Sequence, residues 1–276
     1  MAIADRPHLK SSDVRMVFVC GCGHSGTTLV AAMLGAHPSV YAIPHETGAF
    51  VDSDVRSARV LFERDYIPLA MQEGAAVLCE KTPHHVRRIP VMRKAFPGAR
   101  IVVVIRDARD VAASMMERLG SVERAVNRWN SDNDLVRYEL ERGGRDLVIV
   151  SYEELIAAPE KTLIAISTRL GIDYHPRMLE FHKDERDWFG DNPHGRFRNW
   201  QIHQPLTDRR GRWVKVLSEA EARYIETECR ELMTFFGYLP ATERRTIERV
   251  VGRAWRHLRE PFRPVRRRLR QLRRRV

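Results

Sequence analysis

No run of about 18 consecutive apolar residues occurs in the 276-residue sequence, so no segment reads as a membrane-spanning helix. Residues 1–15, MAIADRPHLKSSDVR, lack the apolar stretch of a secretory signal. Cysteine is scarce. The four, Cys20, Cys22, Cys79 and Cys229, make no disulfide framework, and neither a second cysteine pair nor a His-rich cluster completes a zinc site around Cys20 and Cys22. Structural thiols in a cytoplasmic protein are the expectation. Basic excess is missing from most of the chain. Residues 241–276 hold fourteen Arg, no Lys and three Glu, which accounts for the whole formal net charge of +11. A nucleic-acid-binding domain would spread a basic face over its fold, so no specific nucleic-acid partner is expected.

Apolar runs bounded by turn signals predict strands at Met16–Cys20, Val40–Ile43, Ala76–Leu78, Ile101–Ile105 and Leu147–Val150. Helical patterns lie between and after them, at Thr27–Ala36, Ser53–Gln72, Val86–Ala95, Asp110–Leu119, Val122–Arg142, Glu160–Leu170 and Ser218–Phe236. Val- and Ile-rich strands without polar alternation suit a sheet covered on both faces. The expectation is an α/β fold of three layers around a central, mostly parallel sheet. It would occupy residues 1–240, with residues 241–276 as a separate tail. Residues 183–212 show no clear periodicity and are rich in Arg, His, Asp and Asn, and a loop that long in a compact domain is usually functional or disordered.

The first strand runs into Gly21, Cys22, Gly23, His24, Ser25 and Gly26, then Thr27 and Thr28 open a helix. Such a turn offers backbone N–H groups and a helix N-terminus to phosphate, and Ser25, Thr27 and Thr28 add hydroxyls. A kinase or GTPase loop would carry Lys at the position of Thr27. That lysine is missing, and His24 stands two residues before the last glycine. The strand Ile101–Ile105 delivers Arg106 and Asp107 to the edge of the sheet where α/β folds bind ligands. Ser114 and Arg118 lie one turn apart on the following helix, so Arg106, Ser114 and Arg118 suit a second phosphate. Asp107 read as a metal ligand leaves a P-loop nucleotide or small-molecule kinase as the alternative.

The ordered set HSGTT, AHPSV, EKTP, VVVIRDARDVAAS and VSYEEL resembles the PAPS-dependent sulfotransferases, in the branch of the tyrosylprotein and Golgi glycan enzymes and their bacterial relatives. The resemblance covers about residues 15–240. It implies a P-loop-like fold and the donor 3′-phosphoadenosine 5′-phosphosulfate (PAPS), with PAP as product. It places Gly23, His24, Ser25, Gly26, Thr27 and Thr28 at the 5′-phosphosulfate and Arg106 and Ser114 at the 3′-phosphate. Arg118 is a further phosphate contact, Tyr152 touches the nucleotide, and Arg212, in RRGRW, belongs to a loop over the cofactor. Where the family usually has Lys or Arg, this sequence has His24.

The resemblance also implies Glu46 as the base that activates the acceptor hydroxyl and Lys81 as the cation beside the departing oxygen. No metal is required. His45 is the competing base, and Glu80 and His84 are neighbours of the site. Residues 47–75 and 120–142, with Arg124, Arg128, Trp129 and Arg137, should flank the acceptor, a glycan, lipid-linked sugar or other small molecule. From Ile247 to Leu272 apolar residues recur every three or four positions among arginines, broken near Pro261 and Pro264. That is a basic amphipathic helix, suited to an anionic membrane surface or to packing on its own domain or a homodimer mate. A cytoplasmic enzyme, peripheral at the inner face of the membrane, is the expectation.

Overall fold

The structure, a computed structural model, describes residues 9–184 and 202–238, and residues 117–119 by their backbone alone. The tail at 241–276, the middle of the 183–212 segment and the side chain of Arg118 therefore lie outside the described residues. Five strands form one sheet in which every pairing is parallel: β1 (Arg15–Gly21), β2 (Val40–Ala42), β3 (Val77–Lys81), β4 (Arg100–Ile105) and β5 (Leu147–Ser151). Their order is β2-β3-β1-β4-β5, which puts the first strand in the middle. β1 and β4 are buried apart from their opening arginines, as the unbroken apolar runs require.

Helices cover both faces. One core contains Phe18, Phe50, Phe62, Ile101, Val103 and Trp129. The opposite core holds Val17, Val19, Met33, Leu34, Val102, Val104 and Leu163. Consecutive strand residues thus feed alternate layers, giving the expected three-layer α/β fold. Helix α1 (Thr27–Gly35) follows β1, α5 (Ala108–Leu119) follows β4, and α6 (Val122–Glu141) packs beside α5. The remaining helices up to residue 170 are α2 (Val55–Leu61), α3 (Ile67–Gln72), α4 (Ile89–Ala95), α7 (Tyr152–Ala157) and α8 (Pro159–Leu170).

Three departures from the sequence pattern have local causes. The stretch from Ser53 to Gln72 is not one α-helix, because a π turn at Phe62–Tyr66 separates α2 from α3. That turn puts Phe62 edge-on to Phe18 and stacked on Phe50. The segment from Val86 opens as a 3-10 helix, Pro83–Arg88, since Pro83 and Pro90 each fit the first turn of a new helix. α5 starts two residues before Asp110, where the Asp107 side chain accepts the Arg109 N–H at 2.8 Å.

Candidate active site

β1, β3, β4 and β5 all end on one edge of the sheet, and the residues that follow them form the site. The turn between Gly21 and Thr27 runs close beneath its neighbours. A Cβ at Gly21 would stand 2.5 Å from the Val104 carbonyl oxygen. Gly26 has φ +99°, and a Cβ there would meet the Tyr152 ring at 2.7 Å. Only glycine fits either place without displacing backbone or ring. His24 holds a left-handed φ of +69° without being glycine, a conformation that the surrounding contacts must sustain. Its Nδ1 lies 2.8 Å from Ser114 Oγ on α5. Ser25 is fully buried, and its Oγ has no hydrogen-bond partner among the described residues.

Arg106 lies at the end of β4, 7% exposed. Its Nη1 donates to the His24 carbonyl at 3.2 Å and its Nη2 to the Arg209 carbonyl at 2.9 Å. The guanidinium sits 4.1 Å above the Tyr152 ring, a cation–π contact that fixes its plane. Burial raises the Tyr152 phenol, so the ring beneath is neutral. The Trp129 indole N–H donates to the Arg106 carbonyl at 3.0 Å. Arg106 Nε, also buried, has no partner among the described residues. Asp110 accepts the Gly211 N–H at 2.8 Å and the Trp213 N–H at 3.1 Å, which ties RRGRW to α5. Arg212, between them, is exposed.

On the other side of the edge, Lys81 ends β3 and is 2% exposed. Its Nζ donates to Glu46 Oε1 at 2.7 Å, as a cation so deeply buried requires. Glu46 is on the loop after β2 and remains 39% exposed, open to an incoming molecule. His45 turns away and pairs with the Tyr66 hydroxyl at 3.0 Å. Glu80, next to Lys81, is completely buried. Burial acts to raise its carboxyl, but His85, Thr82 and Thr47 outweigh it and hold it below the usual value.

The structure thus brings Gly26, His24, Ser114, Arg106 and Tyr152 into one contact network, with Ser25 between His24 and Gly26 in the turn, and puts Glu46 against Lys81. The candidate acceptor stripe on α6 separates. Trp129 is core, and Arg137 pairs with Asp134 and Glu231 on the surface. Arg128 turns inward with Arg87 to the buried Asp132, whose carboxylate accepts from both Nε atoms. Burial and then Arg128 push His84 below its usual pKa, against the pull of Asp132 and Glu46, so this basic group borders the Glu46 side. Asp132 escaped the sequence reading, as did the hold of Asp110 on RRGRW and of the Arg209 carbonyl on Arg106. Only an acidic residue set in an otherwise apolar helix face hinted at Asp110 and Asp132.

The chain is similar in sequence and in fold to known sulfotransferases. Residues 50–176 match the Sulfotransferase family. Over 211 residues the chain is 26% identical to protein-tyrosine sulfotransferase 1 of Danio rerio, an alignment covering 65% of this chain and 59% of that protein. The chain therefore spans less than two thirds of that relative's length. The fold is similar to the sulfotransferase domain of the Synechococcus PCC 7002 olefin synthase, with a TM-score of 0.65 at 19% identity, covering 86% of this chain and 99% of that one. It is also similar to mouse sulfotransferase SULT7A1 complexed with PAP, with a TM-score of 0.52 at 16% identity, covering 81% of this chain and 84% of that one.

Proposed function

Because residues 50–176 match the Sulfotransferase family and the chain is similar to a protein-tyrosine sulfotransferase, we propose that it transfers the sulfuryl group of PAPS to an acceptor hydroxyl, with Glu46 as base and without a metal. The observation that carries this reading is a pair of buried polar atoms with no partner among the described residues, Ser25 Oγ in the glycine turn and Arg106 Nε at the end of β4. A buried group left unpaired costs about 1–3 kcal/mol. A donor with phosphate at one end and phosphosulfate at the other would give each atom an acceptor. PAPS supplies the transferable sulfuryl group and PAP as leaving group.

The residues then divide the work. The turn amides, Ser25, Thr27 and Thr28 hold the 5′ end, while Arg106 and Ser114 hold the 3′-phosphate. Arg106 reaches that position already oriented by two carbonyls and the Tyr152 ring, so little order is lost on binding. Glu46 takes the acceptor's proton as its oxygen bonds to sulfur. Lys81 faces the bridging oxygen as the bond to the leaving phosphate breaks. Before the donor enters, Lys81 and Glu46 neutralise each other. A donor that draws Lys81 to its bridging oxygen releases Glu46 to act as base. The acceptor would be a glycan, lipid-linked sugar or other small molecule. The relative's name adds a tyrosine hydroxyl to the classes to be screened.

The kinase alternative loses its metal ligand, because the Asp107 carboxylate is taken by the Arg109 side chain at 2.7 and 3.0 Å and by the Arg109 N–H. Calorimetry with PAP and with ATP–Mg²⁺ tests the choice. PAP should bind in the micromolar range without Mg²⁺. ATP–Mg²⁺ binding with no response to PAP would overturn the assignment. An acceptor screen follows by mass, seeking the gain of one sulfuryl group.

A further inference from the structure

Four consecutive backbone amides of the loop that carries Glu46 end on one buried carboxylate. The Thr47 N–H donates to Glu80 Oε1 at 3.3 Å. The Gly48 N–H donates at 3.3 Å to Thr82 Oγ1, which itself donates to Glu80 Oε1 at 2.6 Å. The Ala49 N–H donates at 3.2 Å to Thr47 Oγ1, which donates to Glu80 Oε1 at 2.9 Å. The Phe50 N–H donates at 3.2 Å to His85 Nε2, and the other ring nitrogen lies 3.0 Å from Glu80 Oε2. Accepting from Phe50 leaves Nε2 without a proton. The His85 proton is therefore on Nδ1 and is donated to Glu80.

Glu80, Thr82 and His85 are each at most 3% exposed. Water cannot replace these bonds, so losing one exposes its amide to the full cost of an unpaired buried group. Lys81 grips Glu46 at 2.7 Å, while its neighbour Glu80 grips Thr47. The dipeptide that would supply the base is thus held by the dipeptide that supplies the leaving-group cation. We propose that Glu80 is a positioning residue, fixing the loop at 46–50 so that the Glu46 carboxylate stands beside Lys81. This rests on the reading of Glu46 as the base.

The test uses the full chain, with Glu80→Gln as the first variant. Its NH2 must take the place of Oε2, facing the Nδ1–H of His85 donor to donor, or the place of Oε1, facing the Thr47 N–H donor to donor. In the first case His85 would have to move its proton to Nε2, where it meets the Phe50 N–H. Hydrogen exchange at Phe50 or at Thr47 should accelerate at least about tenfold, the effect of one lost buried bond, while β3 amides remain protected. The activity readout is sulfate release from PAPS with water as acceptor. It should fall at least about tenfold, with PAP affinity held within about twofold. Should Glu80→Gln fail to fold, Thr47→Val removes two of the same bonds from the half-buried loop side, and Thr47→Ser should restore both exchange and turnover. Unchanged exchange at residues 47–50 in these variants would overturn the proposal. So would native sulfate release in variants of Glu80 or Thr47 when Glu46→Gln is dead. Native release in Glu46→Gln would instead remove the base assignment, and the exchange result would still judge the Glu80 anchor.

Discussion

His24 Nδ1 and Ser114 Oγ, 90 residues apart in sequence, meet at 2.8 Å. The contact joins the glycine turn after β1 to the helix after β4, the two segments assigned to opposite ends of the donor. Ser114 therefore orients His24, and under the proposed function it also faces a phosphate. Ser114→Ala should weaken PAP binding about tenfold, the loss of one hydrogen bond to a charged group. His24→Arg should keep or raise sulfate release if the imidazole stands at the phosphosulfate. Calorimetry on both variants checks this, and complete loss of PAP binding in His24→Arg would give the histidine a role that charge cannot replace.

The ion pair between Glu46 and Lys81 carries the second prediction. Glu46→Gln keeps the shape of the side chain but removes its basicity, so turnover should fall at least about a hundredfold, within the usual worth of a general base. PAP affinity should barely change. His45, bound to Tyr66, should tolerate replacement by Ala with turnover intact. A dead His45→Ala beside an active Glu46→Gln would exchange the two roles.

The thiols yield a third expectation. All four cysteines are buried, and none is in a disulfide. Burial, with Glu80 and Asp132 adding to it, pushes Cys20 far up, and burial likewise raises Cys22. Burial pushes Cys229 up to about 12. A thiol whose pKa is raised stays protonated below that pKa, and the thiolate is the reactive form. At pH 8 a thiol reagent should therefore label the native chain slowly and incompletely. In guanidinium it should label all four cysteines at once. Rapid native labelling of Cys22 would mean that the glycine turn opens.

Much of this was legible one strand at a time. Unbroken Val and Ile runs announce buried parallel strands, and the Gly21-to-Thr28 spacing announces an anion-binding turn. The pattern stops where partners are remote. Nothing local to Glu80 shows that Thr47 and His85 will converge on it, and nothing local to Arg109 shows its pairing with Glu226 at 2.7 Å. Strand order was equally silent, since parallel connections leave a strand free to settle on either side of β1. The π turn at Phe62–Tyr66 answers to packing among phenylalanines, which a period of 3.6 residues does not record.

The last prediction concerns location, and it rests on charge alone. The first 240 residues are formally neutral, while the fourteen arginines of residues 241–276 face only three glutamates. No helix among the described residues is long and apolar enough to cross a membrane, and the attachment proposed here is a peripheral one. Each arginine close to an anionic bilayer contributes roughly 1 kcal/mol. Half of them would suffice to hold the chain there. The full-length protein should bind vesicles containing phosphatidylserine and ignore vesicles of phosphatidylcholine alone. Binding should weaken as salt rises, because surface charges are screened over about 8 Å at physiological ionic strength. PAP affinity should be the same with and without vesicles, since every residue assigned to the donor lies before residue 240. Cosedimentation across a salt series makes the measurement. A chain that stays in the supernatant with phosphatidylserine at low salt would end the membrane reading. A change in oligomeric state on replacing Val251, Leu258 and Leu269 by Ser would then assign the apolar stripe to protein packing.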